Sequence, residues 1–370
     1  MKLYYIVNSR IPTEKARGIQ VMKMCESFAK LGVEVELVVP GRFNKIKDDP
    51  FIYYNILENF KIKRVLTFDL VKFGRVGFLI QNFTFALSVF FYSFRRNDAI
   101  FYVRDEFSAF FLNLISKKVF WEAHEGRFNF VIKFILKETA GIVTISDNLK
   151  KFFIKVGGNE KKIIVAPDGV DLRQFLISQK KEDCRTKLGL PQNKKIILYT
   201  GHLYSWKGAD VLAKSAGLLS DEYLILFVGG TEKDVERYRE EYLKSNNIKF
   251  TGWKSYDLMP YYMKAADLLI LPNSGKEDIS RLYTSPMKLF EYMASGNPII
   301  ASDLPSIREV LDENNAHLVK SDNPDELAKA IMFLMENKEV GNKLSEQASV
   351  DVKNYSWENR VSLILKFLNV

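Results

Sequence analysis

The chain has 370 residues, 47% hydrophobic and 27% charged, a composition that excludes disorder or a fibre and a length that calls for two cored domains. Cys25 and Cys184 are its only cysteines and His124, His202 and His317 its only histidines, in no ligand spacing, which argues against a disulfide framework, a zinc site or any other metal centre and fits a reducing cytoplasm. The net charge of +9 belongs to one half: residues 1–180 hold 29 Lys and Arg against 18 Asp and Glu, a balance of +11, whereas residues 181–370 hold 25 against 27, a balance of −2.

Met1-Lys2 runs directly into LYYIV, too short for the apolar core of a signal peptide, and reads as a first strand. After a loop, the apolar residues between Gln20 and Lys30 recur at three- and four-residue spacing and stop at Gly32, a helix ended by its glycine. VEVELVVP then completes a strand–helix–strand unit. Val76–Phe94 is a run of 19 uncharged residues bounded by Arg75 and Arg95-Arg96. Its length would span a bilayer, but Gln81, Asn82, Thr84, Ser88 and Ser93 also suit a half-buried helix or one that touches a membrane surface.

Further strands are expected at 99–103, 118–123, 141–146 and 162–167, with helical patterns between. The charged stretch 174–192 reads as a linker. Alternation then restarts with strands at 195–201, 223–230, 248–252, 267–272 and 297–302, and a helical tail closes the chain. This pattern predicts two doubly wound parallel-sheet units, 1–173 and 193–354, facing each other across a cleft, with a last helix at about 355–370 packing back on the first. Ligands of such sheets bind beyond the carboxyl ends of the strands, so chemistry belongs in the loops that follow them.

Four such places stand out. In TGHLYSWKGADVL (200–212), Gly201 permits close backbone approach and Lys207 precedes a helix start, where free N–H groups favour an anion. The GxxxxGK[ST] spacing of a P-loop is absent, and a surface lysine at a helix start would look the same. In TSPMKLFEYMASG (284–296), Ser285 is expected as a helix cap and Pro286 in the first turn. Glu291 follows, either a ribose-binding carboxylate or a solvated helix glutamate. His124, between Glu122 and Glu125, follows a strand and could donate to a sugar or phosphate oxygen, or be structural. The loop 9–20 carries Arg17, Gly18 and Gln20 but no GxGxxG, which removes the main support for a dinucleotide enzyme.

Taken together, LYTGHLYSWKGADVL, VAPDGVD (165–171), IKFTGW, ADLLILPNS (266–274) and KLFEYMASGNPIIASDLPSIREVL (288–311) resemble the retaining glycosyltransferases of family 4, which have the GT-B fold of two Rossmann-like domains. The resemblance covers nearly the whole chain and is strongest over 195–311. It implies a nucleotide-diphosphate sugar held mainly by the second domain and a glycan or lipid-linked acceptor held by the first. Lys207 would then hold the donor diphosphate, Gly201 would give backbone approach, Glu291 would bind the ribose, and the N–H groups around Ser285, Pro286 and Met287, where proline itself has none, would mark the phosphate end. His124 would sit by the transferred sugar, and Arg17, Gly18 and Gln20 on the acceptor side. No cofactor and no metal are implied. Two departures stand out: His202 occupies the place of a phosphate-binding arginine, a duty it would share with Lys288, and Tyr283 replaces the first acid of the E-x7-E motif that reads the donor sugar. The reading is of a cytoplasmic enzyme, peripheral on the inner face of the membrane through residues 73–96 and the basic first half, with no nucleic-acid partner. A sugar-nucleotide epimerase of GT-B type and a degenerate binding subunit are the alternatives.

Overall fold

The structure is a computed structural model that describes residues 1–96, 98–242 and 245–369. The chain divides into two units, Met1–Asp168 with the segment from Trp357 onward, and Gly169–Ser356.

The first unit is a parallel sheet of seven strands: β1 (Lys2–Ile6), β2 (Glu34–Pro40), β3 (Lys61–Val65), β4 (Ile100–Val103), β5 (Val119–Ala123), β6 (Gly141–Thr144) and β7 (Ile163–Val165), in the order β3-β2-β1-β4-β5-β6-β7. The central strands are buried almost throughout, as expected of apolar runs covered on both faces. β3 was not expected from the sequence. Its KIKRV is an edge strand that pairs only with β2 and exposes Lys61, Lys63 and Arg64, so it has no apolar run to reveal it.

The second unit has six parallel strands: β8 (Lys195–Thr200), β9 (Tyr223–Val228), β10 (Ile248–Phe250), β11 (Leu268–Leu271), β12 (Ile299–Ser302) and β13 (His317–Val319), ordered β10-β9-β8-β11-β12-β13. Successive residues point to opposite faces, and both faces are cored. Ile196 and Leu198 join one apolar cluster while Ile197 and Tyr199 join the other. The three-residue β13 was also missed, being too short for any periodicity.

Two expectations are corrected. Residues 174–192 are not a linker: the units divide at Asp168–Gly169, and the helix Lys181–Lys187 packs into the second unit with Cys184 and Arg185 buried. The reason is polar. The Arg185 guanidinium donates to the carbonyls of Ala265, Gln192 and Lys194 at 2.9–3.1 Å and to the Asp267 carboxylate at 2.7 Å, so a stretch that looks solvated is pinned. The helix after Thr284 begins at Met287, with Pro286 at the N-cap in an extended conformation and Ser285 outside it. Pro286 keeps the φ its ring imposes but takes an extended ψ of 126°, so it occupies the cap position itself and displaces Ser285 from it.

The Gly74–Ser93 helix is neither buried nor free. Gly77, Gln81, Phe85, Ala86, Val89 and Ser93 form a buried stripe at helical spacing. The opposite face exposes Val76, Phe78, Leu79, Ile80, Phe83 and Phe91. Polar contacts attach it to the sheet: Gln81 donates to Asn8 at 2.7 Å, Asn8 to Asn82 at 2.6 Å, and Ser88 to the Leu66 carbonyl at 2.6 Å. Among the described residues, Val71–Ser93 is the one helical stretch long and apolar enough to cross a membrane.

Candidate functional site

In the second unit, the loop after β8 supplies the first component. Gly201 has φ +117°, a conformation that costs an L side chain dearly. A Cβ built there would lie 3.8 Å from Lys207 Nζ and 4.0 Å from Lys288 Nζ. Two ammonium groups from separate elements therefore converge on one glycine. The turn that delivers Lys207 is equally constrained. Gly208, with φ +67°, sits so close to Pro272 that a Cβ would meet its carbonyl oxygen at 1.8 Å, and the helix Ala209–Ser215 starts immediately after.

Lys288 does not extend from the helix start into solvent. Its ammonium is buried, donates to the Thr200 carbonyl at 3.1 Å and lies 3.7 Å from the centre of the Tyr199 ring. Burial pushes Lys288 well below the usual lysine range, and the positive charge of Lys207 lowers it further. Burial likewise brings Lys207 down to about 8, against the upward pull of Glu291. Two cations converging on one spot, Lys288 buried and Lys207 half-buried, repel one another, and an anion between them relieves both the repulsion and the desolvation.

Glu291 is buried in the Met287–Ser295 helix, and its Oε1 accepts from the Tyr256 hydroxyl at 2.8 Å. Tyr256 is half-buried: burial, then the Glu291 carboxylate, hold its phenol well above the ordinary value. The tyrosine therefore stays a donor that fixes the carboxylate. Sequence reasoning missed Tyr256, which stands 35 positions earlier in a single turn of 3-10 helix and carries no pattern of its own. The solvated reading of Glu291 is excluded by its burial.

His202 stacks on Tyr204 with ring centres 5.0 Å apart, and its carbonyl accepts from Tyr199 at 2.7 Å. Tyr283 ends a wide helical turn, Ile279–Tyr283. Of the two acids near it, Asp278 pairs with Arg281 at 2.7 Å, while Glu277 accepts from Ser205 at 3.2 Å. Glu277 thus reaches the loop that carries Lys207, a placement the sequence left open.

The first unit holds a separate polar cluster. Glu122, on β5 and fully buried, accepts from His124 Nε2 at 2.7 Å, from Tyr5 at 3.0 Å and from Arg360 at 3.0 Å. Burial alone would raise the Glu122 carboxyl, but Arg360, His124 and Arg104 outweigh it and hold the group well below the carboxylate range. A carboxylate only accepts, so His124 donates through Nε2 and presents Nδ1 as an acceptor. Burial and the nearby Arg104 push His124 down to about 4, so it is neutral at physiological pH. Glu125, the other flanking acid, instead binds Arg127 at 3.0 Å.

Arg17, Gly18 and Gln20 are not in a loop: the helix Ala16–Lys30 already contains them. Gly18 is needed for packing, since a Cβ there would lie 2.1 Å from the Tyr54 hydroxyl, which brackets Thr13 by accepting from its N–H and donating to its carbonyl. Gln20 is buried and donates to Asp168. Asp168 also lies 3.6 Å from Arg360, which joins Gln20 to the His124 cluster. Arg360 comes from the helix Trp357–Phe367 and was not foreseen. Among the described residues, no group of three or more His, Cys, Asp or Glu could hold a metal ion.

Residues 180–351 match the model of the glycosyl transferases group 1 family. An uncharacterized glycosyltransferase of Methanocaldococcus jannaschii is 30% identical over 237 residues, covering 62% of this chain and 58% of that protein. The phosphatidyl-myo-inositol mannosyltransferase of Mycobacterium tuberculosis is 25% identical over 248 residues, covering 65% of this chain and 62% of that protein. The chain thus spans less than two thirds of the length of these curated relatives. Among solved structures, Anabaena HepE in complex with UDP-glucose superposes with a TM-score of 0.78 at 15% identity, over 100% of this chain and 99% of that one. Sucrose-phosphate synthase from Thermosynechococcus elongatus gives 0.80 at 18% identity, over 100% and 98%. Both parallel-sheet units are therefore those of the GT-B fold, and the similarity to glycosyl transferases group 1 falls on residues 180–351, all within the second unit.

Proposed function

We propose that the protein is a glycosyltransferase that moves a sugar from a nucleotide-diphosphate sugar to a glycan or lipid-linked acceptor with retention of anomeric configuration. The observation that carries this reading is the convergence of Lys207 and Lys288 on Gly201, beside a Glu291 oriented by Tyr256. The two ammonium groups suit a diphosphate. The carboxylate suits the paired hydroxyls of a ribose. The start of the helix at Met287 adds the positive end of a helix dipole.

In this mechanism the acceptor hydroxyl oxygen bonds to the sugar's anomeric carbon as the bond from that carbon to the diphosphate oxygen breaks. The acceptor proton passes to the departing diphosphate on the same face. Charge develops on the leaving group, and preorganised cations in a dry site stabilise it more than water does. His124, neutral and with Nδ1 open to acceptance, would take a hydrogen bond from a hydroxyl of the transferred sugar. Glu277, which accepts from Ser205 of the Lys207 loop, would supply the acid that Tyr283 replaces.

The test is a screen of nucleotide sugars by thermal shift followed by transfer assays. The true donor raises the melting temperature by mass action. Lys207→Ala should abolish most of that shift and cut transfer by roughly 10²–10³-fold, the usual loss for one charge-stabilising group. Unchanged transfer by Lys207→Ala would sink the proposal, and proton NMR of the product reads the anomeric outcome.

We also infer a peripheral site of action on the cytoplasmic face of a membrane. The Gly74–Ser93 helix exposes a stripe of Val76, Leu79, Ile80 and Phe83, with Lys72, Arg75 and Arg95 at its ends. Apolar insertion combined with basic charge binds anionic bilayers where either alone is weak. Its polar ties to Asn8 and Leu66 support a helix that lies on the membrane rather than crosses it. Wild-type protein should float with anionic vesicles and Phe78→Ser/Phe83→Ser should not; equal flotation of the two would remove this assignment.

A further inference from the structure

The first unit contains a cationic cavity that the transfer chemistry above leaves unused. It measures about 260 Å³ and is lined by Arg10, Arg42, Lys47 and Arg64, together with Asn44 and Asp48. Its origin is topological. β3, β2 and β1 are neighbours, and each sends an arginine to the same rim: Arg10 from the loop after β1, Arg42 from the loop after β2, and Arg64 from the end of β3. Parallel strands place all their carboxyl ends on one edge, so residues more than fifty positions apart meet there. The loops are tied together, since Asn44 donates to the Pro12 carbonyl at 2.7 Å and Arg64 to the Ile11 carbonyl at 3.4 Å.

The charges do not cancel. Four cations meet Asp48 in the lining and Asp69, which binds Arg42 Nε at 3.0 Å. The positive field reaches further: desolvation lowers the Lys15 ammonium, and the charges of Arg17, Arg10 and Arg42 lower it more. Cations held this close cost free energy until an anion neutralises them. Guanidinium forks select an oxyanion with several acceptor atoms over a neutral hydroxyl compound.

We propose that this cavity binds a phosphate group carried by the acceptor. The word acceptor rests on the glycosyl-transfer reading; the binding of a phosphate does not. The cavity is large enough for a phosphate together with part of the polyol that bears it.

The experiment titrates the full-length protein calorimetrically with inorganic phosphate and with glycerol 3-phosphate, and floats it with phosphatidylglycerol vesicles. Arg10→Gln/Arg64→Gln is compared with Lys133→Gln/Lys161→Gln, which removes two exposed charges of the same unit away from the cavity. Melting temperatures establish that both variants fold. The arginine pair should weaken binding about tenfold or more, the lysine pair far less. Loss for the soluble esters assigns the site to a soluble phosphorylated acceptor. Loss confined to vesicles assigns it to a lipid headgroup. Equal loss in the two variants, no loss in either, or no binding of any probe by the unaltered protein overturns the proposal. If phosphate binding depends on the arginines but no phosphorylated compound accepts sugar, the anion site stands and the transfer reading fails.

Discussion

Burial lowers Lys207 to about 8, and a diphosphate bound against it raises that value again. The sign follows from linkage. In the free protein the ammonium is present below pH 8 and lost above it, so donor binding takes up a proton at higher pH. Affinity for a nucleotide-diphosphate sugar should be flat below about pH 8 and then weaken by up to about tenfold per pH unit. Lys207→Met should bind weakly with that inflection absent, and thermal shifts recorded from pH 6.5 to 9.5 would show both. Stability without ligand has the opposite trend. Between about 8 and the unfolded value of 10.5 the folded state holds fewer protons than the unfolded chain, so the cost of the buried charge fades as pH rises. Glu291 shows the limit of reading one residue alone: as a helix glutamate it is ambiguous, and only the Tyr256 hydroxyl at 2.8 Å and burial give it a direction.

At the scale of single elements, the helix Trp357–Phe367 has a role that its amphipathic pattern conceals. Trp357, Val361 and Ile364 give it an ordinary apolar face, and Arg360 sits among them, buried. Its guanidinium donates to Glu122 and to the carbonyls of Ala166 and Pro167 at 2.9–3.1 Å. A buried arginine on an apolar face needs such partners or it would not be tolerated. Arg360→Met should destabilise the protein by about 3–5 kcal/mol, because it leaves a buried carboxylate without its main cation. Urea unfolding measures this, and a change below about 1 kcal/mol would mean that water replaces the guanidinium. Because Arg360 also lowers His124, the same variant should titrate His124 at higher pH by NMR. Elsewhere the element boundaries follow local chemistry. Gly208 permits the turn before the helix Ala209–Ser215, and Pro286 delays the Met287–Ser295 helix by one position.

At the scale of the whole molecule, the first unit is completed by a segment that follows the second. Calorimetry of a chain truncated before Trp357 should therefore show the first unit melting at lower temperature while the second unit's transition is unmoved; one transition shifted as a whole would contradict the division at Asp168–Gly169 and Ser356–Trp357. Most strands of both sheets were legible in the sequence, because strands buried on both faces are apolar runs separated by helical periodicity. The exceptions, KIKRV in β3 and HLV in β13, are an exposed edge and a strand too short to have a period. The Gly201, Lys207 and Glu291 positions were legible because glycines, a lysine before a helix and a helix carboxylate follow strand ends in a fixed order. What the sequence determined alone was the class of fold and the places after strand ends where Gly201, Lys207 and Glu291 stand, since both depend on local pattern. Only the tertiary structure decided that Lys288 turns inward to Thr200, that Tyr256 holds Glu291, that Arg360 governs His124 through Glu122, and that three arginines share one rim. Each of these joins residues far apart in the chain, and a contact made by parallel strands and returning helices leaves no periodicity along the sequence from which to read it.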